Sequence, residues 1–387
     1  MGLKDLLIAP LYLLIVYALA GMIKSRRYDR DDPTARYFMP ALTLKIFGAI
    51  AFGLVYQFYY GGGDTFGYYA GGEAYLRFFM VNPGEAIYSL FAFSQQLEVE
   101  LLNFADPQYR YIFRGASEQM MIKITGIFNL LALNSYASTS ILFAFFSFLG
   151  LWALYRTFVK IFPGAYKQLA IACFFIPSVV FWGSGILKDT VTLACVGFLT
   201  YGCYYLFIRR RRLLPAFLLI GISVYFIANI KGYILIAFLP ALLFWIIESN
   251  KQKLPTGFLR AAATPFTLLL IAGAGLLMIG QISEMLGRYS LENLESTAVG
   301  TQTWHTVASG AEGSGYTLGT VGFTPDMMLQ NFPAAVNVTL FRPYLWEAGG
   351  VVSFASALES LAFLLITLWA LFKTRVFGFF EEMGKGL

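Results

Sequence analysis

The chain has 387 residues, of which 58% are hydrophobic and only 13% are charged, and its mean hydropathy is +0.65. This composition excludes an ordinary soluble domain and indicates an integral membrane protein. The net charge of +6 comes mostly from short basic clusters at the ends of apolar runs, so it reports membrane topology and does not indicate a nucleic-acid partner.

Apolar runs of about 20 residues recur along the chain, and each is long enough to cross a hydrocarbon core of about 30 Å. The alternating pattern of a membrane β-barrel is missing, so we predict helices. The sequence thus predicts an all-α polytopic membrane protein with about nine transmembrane helices. In chain order the predicted spans are 5–23, 39–60, 135–157, two crossings within 168–208, 213–229, 232–248, 261–281 and 351–372.

Basic residues after the first run set the predicted orientation. Lys24, Arg26 and Arg27 follow it directly, and such clusters favour the cytoplasmic side. The N-terminus is then external and the C-terminus cytoplasmic. The simplest partition is a single membrane domain over residues 1–387 with external elaborations at 61–134 and 282–347, in which short apolar stretches form helices lying in the interface plane.

A glycine-rich loop follows the second predicted span, reading Tyr-Tyr-Gly-Gly-Gly-Asp-Thr-Phe-Gly-Tyr-Tyr from Tyr59 to Tyr69. Successive glycines let the backbone take positive φ and approach a ligand closely, while aromatic residues offer flat faces to a ring. We interpret Asp64, with Tyr68 and Tyr69, as the mouth of a membrane-embedded site. The alternative interpretation is an interfacial turn with an aromatic belt.

More ionisable residues fall on the same predicted face. Gly183-Ser184-Gly185 lies shortly before Lys188 and leaves helix N-terminal amides open to an anion. The cations Lys188, Lys231 and Arg342 can hold a phosphate. We therefore predict a positively lined pocket for a phosphate or diphosphate, with Asp64 or His305 as the proton acceptor for an attacking hydroxyl. Lysines that only snorkel, a structural His305 and a local Arg342–Glu347 ion pair are the alternatives. The predicted binding residues, besides Tyr68 and Tyr69, are Lys188, Asp189, Lys231, Arg342 and Glu347.

Several classes of site lack their parts in this sequence. There is no glycine-rich loop ending in Lys-Ser or Lys-Thr, no His/Cys cluster and no His-Glu-x-x-His pattern. Cys173, Cys195 and Cys203 lie within apolar runs without paired spacing, so we interpret them as small buried hydrophobes. No metal or cofactor is predicted, and a divalent cation bridged by Asp64 and a substrate phosphate is left open.

Three stretches carry a family resemblance: the Gly-Gly-Asp-Thr-x-x-Tyr-Tyr loop, the segment from Pro177 to Asp189, and the Arg-Pro-Tyr-Leu-Trp-Glu stretch ending at Glu347. With the predicted topology they resemble polytopic bacterial proteins of cell-surface polysaccharide assembly. More broadly, they resemble the GT-C superfamily of lipid-carrier-dependent glycosyltransferases, together with the O-antigen polymerases and ligases. The chain departs from that pattern in its external N-terminus and in a single Gly-Gly-Asp where the family has a pair of acidic residues.

The resemblance implies that a sugar is taken from a polyprenyl phosphate or diphosphate on the external face of a bacterial inner membrane. It implies an acidic residue in the first large external loop, here Asp64, and Arg and His near a late external loop, here Arg342 and His305. The implied partners are the lipid bilayer and a polyprenyl-phosphate-linked glycan.

Two other hypotheses stay open. A transporter or flippase of a lipid-linked or anionic solute would carry charged groups through the membrane depth, and the apolar runs hold few, so we favour an enzyme. A non-enzymatic structural subunit of a bacterial envelope complex would use the external loops to dock a protein partner.

Overall fold

The computed structural model describes residues 2–28, 31–91, 95–113, 115–253 and 325–374, with 257, 269, 296 and 300 as isolated positions. Every regular element in these ranges is helical, which confirms the predicted all-α class. The α-helices are α1 (Leu3–Arg27), α2 (Phe38–Phe58), α3 (Asp64–Val81), α4 (Pro83–Ser89), α5 (Gln95–Phe104), α6 (Ala116–Leu131), α7 (Tyr136–Ile161), α8 (Tyr166–Ala170), α9 (Pro177–Trp182), α10 (Lys188–Cys203), α11 (Leu213–Asn250), α12 (Pro325–Phe341) and α13 (Val351–Thr374).

Within the described ranges, six helical segments are long and apolar enough to cross a membrane. They are Leu3–Arg27, Ala35–Phe58, Tyr136–Ile161, Lys188–Ile208, Leu213–Asn250 and Val351–Lys373. The predicted spans 213–229 and 232–248 both fall in α11, which is interrupted at Lys231 by non-helical φ and ψ of −144° and 67°. The predicted span 261–281 lies outside the described residues. The predicted total of nine spans and the orientation of the termini therefore stay predictions.

The described residues form two compact units, Met1–Leu235 and Ile236–Leu387. In the first unit α7 is central and packs against α1, α2, α6 and α10. Its aromatic residues Phe148 and Trp152 meet Phe38 of α2 edge to face, with ring centroids 4.9 and 4.7 Å apart. In the second unit α12 packs against α13.

Glycines bring two helix pairs of the first unit into backbone contact. A Cβ at Gly197 of α10 would lie 2.1 Å from the carbonyl oxygen of Gly150 in α7. A Cβ at Gly72 of α3 would lie 2.9 Å from the backbone nitrogen of Gly126 in α6. Residues without side chains allow such close helix approach in membrane proteins, so these four positions fix α10 against α7 and α6 against α3.

Residues 61–134, predicted as an external elaboration, form α3 to α6 and contribute to the core of the first unit. Tyr68, Tyr75 and Phe78 of α3 are at most 3% exposed. Lys123 of α6 is fully buried and donates a hydrogen bond to the carbonyl oxygen of Ser89, the last residue of α4. Most of the other predicted elaboration, residues 282–324, lies outside the described ranges.

One end of the first unit is rich in basic side chains, and we call it the basic end. There Arg156 Nη1 lies 2.7 Å from Asp32 Oδ2, and Arg36 donates a 2.9 Å hydrogen bond to the hydroxyl of Tyr166. The arginine run that starts at Arg209 follows α10 at this same end. Alternating helices therefore place the basic clusters of the sequence together.

The opposite end holds the glycine-rich loop, and we call it the Asp64 end. Here Asp5 of α1 caps the start of α7, accepting hydrogen bonds of 2.7 Å from Ser135 Oγ and 3.0 Å from the backbone nitrogen of Ala137. Thr65, beside Asp64, shares a 2.8 Å hydrogen bond with the hydroxyl of Tyr136. Helices α1, α3 and α7 thus begin close together at this end.

Candidate functional site

The glycine-rich loop takes backbone conformations that require glycine. Gly61, Gly62 and Gly63 have φ values of 70°, 149° and 135°. A Cβ at Gly63 would also lie only 2.5 Å from the ring of Tyr56, so the loop packs directly on this ring. Helix α3 begins at the next residue, which places Asp64 beside Tyr56 at the end of α2.

Asp64 is an exposed carboxylate that makes no hydrogen bond or ion pair with any other described residue. The pKa of the Asp64 carboxyl is raised, chiefly because the surrounding residues partly desolvate it. The charge of Lys188 lowers this pKa and the charge of Glu118 raises it further. Because the side chain keeps contact with solvent, it remains accessible to a ligand.

Lys188, the first residue of α10, is held beside Asp64 by α6. Its Nζ donates hydrogen bonds of 2.6 Å to Glu118 Oε1 and 2.9 Å to Ser117 Oγ, and it lies 6.0 Å from the centre of the Tyr68 ring. Burial raises the pKa of Glu118, but the hydrogen bond and the charge of Lys188 outweigh it and the net direction is downward. The pair is therefore ionised next to the partly desolvated Asp64.

Asp189 faces a different helix from its neighbour Lys188. Its Oδ1 lies 2.5 Å from Nζ of Lys231, the residue at which α11 is interrupted. Adjacent residues on a helix point about 100° apart, so each can take its own partner. The start of α10 is consequently tied to α6 on one side and to α11 on the other.

The chain that leads into α10 is a broken helix. A π turn follows α8 at Ile171–Phe175, Pro177 starts α9, and Gly183–Leu187 form a buried non-helical loop before α10. Of the two crossings predicted within 168–208, the second corresponds to the candidate span Lys188–Ile208, whereas the segment before it consists of short helices. Irregular backbone within a membrane protein needs internal hydrogen-bond partners, and here side chains supply them.

Lys45 of α2 is the main donor to this loop. It is fully buried, and its Nζ donates hydrogen bonds of 2.8 Å to the carbonyl oxygen of Val179 and 2.7 Å to that of Gly183. Ser147 Oγ donates a 2.7 Å hydrogen bond to the same Gly183 oxygen. A cation at the C-terminal end of a helix is electrostatically favourable, so Lys45 fixes the end of α9 and, through it, the start of α10.

Five of the predicted site residues in the first unit come together: Asp64, Tyr68, Lys188, Asp189 and, through Asp189, Lys231. Tyr69 instead donates a 2.9 Å hydrogen bond to the carbonyl oxygen of Asn134.

In the second unit Arg342 and Glu347 form a two-pronged ion pair, with Arg342 Nε 3.0 Å from Glu347 Oε2, which is the local pair weighed as an alternative. The Arg342 guanidinium, acting chiefly through this hydrogen bond, holds the pKa of Glu347 below its usual range. His305 lies outside the described residues, so its predicted role stays a prediction.

Three residues at or near the site were not predicted from the sequence: Glu118, Lys45 and Tyr111. Glu118 lies 70 positions before its partner Lys188, and no local pattern links them. Lys45 gave a usable signal, because an ionisable residue inside an apolar run is costly unless it has a role. Tyr111 sits on a short 3-10 helix between α5 and α6, and it gave no signal in the sequence.

In the ranges that the structure describes, no group of three or more His, Cys, Asp and Glu side chains lies where it could hold a metal ion. Cys173, Cys195 and Cys203 are buried free thiols, as predicted. No family model matches this chain, and neither a curated protein nor a solved structure matches it. The resemblance to the GT-C superfamily therefore stays an expectation.

Proposed function

We propose that the protein transfers a sugar from a polyprenyl-phosphate-linked donor to a hydroxyl acceptor at the Asp64 end. The observation that carries the proposal is an exposed, unpartnered Asp64 carboxylate with a raised pKa next to the ionised Lys188–Glu118 pair. A general base needs a pKa moved toward the operating pH and a position open to substrate, and Asp64 has both.

In the proposed step, the acceptor hydroxyl gives its proton to Asp64 while its oxygen bonds to the anomeric carbon of the donor sugar. The bond between that carbon and the phosphate oxygen breaks at the same time, and the phosphate leaves with the electron pair. No oxidant, reductant or further reactant is needed. Asp64 later returns the proton to solvent, to which it is exposed.

Lys188 and Lys231 are the proposed phosphate-binding residues. Each ammonium is held by a carboxylate, at 2.6 Å from Glu118 and 2.5 Å from Asp189. The donor phosphate accepts hydrogen bonds from the same donors as a carboxylate, and it gains negative charge as the sugar leaves, so it competes with both carboxylates for the lysines. In this proposal Glu118 and Asp189 keep the lysines in place until substrate arrives.

The proposed orientation follows from the basic end. Arg36, Arg156 and the run from Arg209 gather there, and basic clusters favour the cytoplasmic side of a membrane. The Asp64 end is then external, where a bacterial inner-membrane enzyme of polysaccharide assembly would meet its lipid-linked donor.

A specific observation favours a second candidate, a transporter of the same lipid-linked or anionic solute. Lys45 is a buried charge within a candidate span, and it binds the broken helix at residues 166–187. Discontinuous helices and intramembrane charges mark solute paths in several transporters. This candidate ranks second because Lys45 is fully engaged by backbone carbonyls and because Asp64 is open at the surface.

The test uses the purified protein in nanodiscs with radiolabelled polyprenyl-phosphate glucose, polyprenyl-phosphate mannose and polyprenyl-diphosphate N-acetylglucosamine as donors. General-base catalysis is worth about 10²–10⁴ in rate, so Asp64→Asn is expected to lose at least about 100-fold in transfer. The matched control is Glu85→Gln, because Glu85 is an exposed carboxylate on α4. Equal transfer by Asp64→Asn and wild type would overturn the proposal, and movement of unaltered donor across proteoliposomes would favour the transporter.

A further inference from the structure

A ladder of aromatic rings runs beside Asp64. Phe52 stacks on Tyr56 with ring centroids 4.4 Å apart, Tyr56 meets Tyr60 at 5.1 Å, and Tyr60 meets Tyr59 at 4.8 Å. Trp182, at the end of α9, joins the ladder at 5.6 Å from Phe52. We call these five residues the aromatic ladder.

The aromatic ladder leads from the core to the surface. Phe52 is fully buried, whereas Trp182, Tyr60 and Tyr59 are 40%, 52% and 61% exposed. The open rings come from the turn that follows α2 and from the end of α9, and the Lys45 contact with Gly183 holds α2 and α9 together. Next to the ladder, no atom lies within 4 Å of where a Cβ of Gly61 or Gly62 would stand, so the space over the loop is open.

Phenol hydroxyls near the ladder and Asp64 are also available. Elsewhere in the first unit, tyrosine hydroxyls donate to backbone carbonyl oxygens, as at Tyr12, Tyr75 and Tyr225. At the Asp64 end, by contrast, the hydroxyls of Tyr56, Tyr60, Tyr68 and Tyr111 make no hydrogen bond with any other described residue.

From this combination we infer that the aromatic ladder and Asp64 form a binding subsite for a pyranose ring of the acceptor glycan. The apolar CH face of a pyranose fits an aromatic ring, and its hydroxyls match phenol groups and a carboxylate that have no other partner. The inference rests on the proposed function and deepens it, because it assigns the acceptor side of the reaction to α2 and α9.

The hydrogen-bonding groups around the ladder favour a polyhydroxylated ligand over a cationic one. Aromatic rings around a carboxylate can also bind a quaternary ammonium. A quaternary ammonium forms no hydrogen bond, however, so it would leave the phenol hydroxyls of Tyr56 and Tyr60 without a partner. Sugar hydroxyls pair with such groups, and one of them can present its proton to Asp64.

The experiment measures glycan binding without any donor. Cellotriose, chitotriose and mannotriose are titrated against the protein in nanodiscs by saturation-transfer NMR, with tetramethylammonium as a cationic probe. At least one trisaccharide is expected to bind wild type, and Tyr60→Ala and Trp182→Ala are each expected to weaken it at least tenfold. Tyr88→Ala is the matched control, because Tyr88 is a 72% exposed tyrosine on α4, outside the ladder.

Tyr60→Phe keeps the ring and removes only the hydroxyl, so it tests the inference if an alanine variant fails to fold, and it is expected to weaken binding by less than Tyr60→Ala. Absence of binding by all three trisaccharides, equal binding by the ladder variants, or binding of tetramethylammonium alone would overturn the inference. Glycan binding without any sugar transfer would support the acceptor subsite and overturn the proposed transferase function. Sugar transfer by Tyr60→Ala with an unchanged acceptor KM would support the transferase function and overturn the acceptor subsite.

Discussion

Lys45 Nζ lies 2.7 Å from the carbonyl oxygen of Gly183, so an ammonium buried within α2 holds the loop from which α10 begins. Through this contact, a residue far from the surface sets the position of Lys188 and Asp189. The placement of the candidate site therefore depends on the buried Lys45 ammonium, which is not itself one of the residues proposed to contact substrate.

Replacing Lys45 by methionine is expected to destabilise the protein by about 1–3 kcal/mol, because two buried carbonyls lose their donor while the cost of burying a charge is removed. Thermal unfolding in detergent measures the effect. Lys4→Met, at an exposed position of α1, serves as the control and is expected to be neutral within about 0.5 kcal/mol. A Lys45→Met protein as stable as wild type would contradict the assigned role.

The Glu118–Lys188 pair predicts a stability that depends on pH. The folded state lowers the pKa of Glu118, so the pair stabilises the protein fully above the ordinary value of 4.5 and loses its effect as the pH falls through the lowered folded pKa. Glu118→Gln is expected to cost about 2 kcal/mol at pH 7 and to become equal to wild type in acid. The free energy of unfolding, measured against pH, checks this, with Glu85→Gln expected to track wild type throughout.

Gly61 and Gly63 allow the cost of a positive φ to be compared with the cost of a clash with the Tyr56 ring. Gly63→Ala meets both the positive φ of 135° and the Tyr56 ring, whereas Gly61→Ala meets only its φ of 70° in open space. We expect Gly61→Ala to cost about 1 kcal/mol and Gly63→Ala about 3 kcal/mol, with a displaced Tyr56. Equal unfolding free energies for the two variants would show that the contact between Gly63 and the Tyr56 ring does not affect stability.

The contact between α7 and α10 should not accept a methyl group. A Cβ at Gly197 would lie 2.1 Å from Gly150 O, so Gly197→Ala must push the helices apart and is expected to cost about 2 kcal/mol or more. Gly221 of α11 has no atom within 4 Å of its Cβ direction, and Gly221→Ala is expected to be neutral or stabilising by up to about 1 kcal/mol. The free energies of unfolding of the two variants in detergent are compared, and equal values would contradict the assigned helix contact.

The raised pKa of Asp64 gives the proposed reaction a pH signature. A base must be ionised, so transfer is expected to fall as the pH drops through the Asp64 pKa, with an acid limb that lies above the ordinary value of 3.8. Asp64→Glu should keep such a limb and Asp64→Asn should lose it together with most of the rate. An acid limb that survives unchanged in Asp64→Asn would assign the base to another residue.

The sequence predicted the long apolar helices well, because length and hydropathy are local properties. The predicted runs 5–23, 39–60, 135–157 and 351–372 match α1, α2, α7 and α13 closely. The boundary predicted between 213–229 and 232–248 likewise coincides with the non-helical φ and ψ of Lys231, which interrupt α11.

The candidate site was only half predictable, for a different reason. Asp64, Lys188 and Asp189 stood out because each lies next to glycines at the end of an apolar run. Their partners Glu118 and Lys231 depend on how distant helices pack, and the burial of α3 in the core could not be derived from its moderate hydropathy. Tertiary contacts, which no local pattern encodes, decide which charges are neutralised, and they leave Asp64 without an ion pair among the described residues.

The contact of Lys45 also constrains how the chain is made. Its acceptors, the carbonyls of Val179 and Gly183, follow it by 134 and 138 residues. At about 5–20 residues per second, α2 leaves the ribosome on the order of ten seconds before those carbonyls exist. A central lysine costs about 2.5–3.5 kcal/mol on the insertion scale, so the remaining apolar residues of α2 must carry it into the bilayer unaided. The helix is thus apolar enough to insert alone, and its lysine finds its permanent partners only when the later segment arrives.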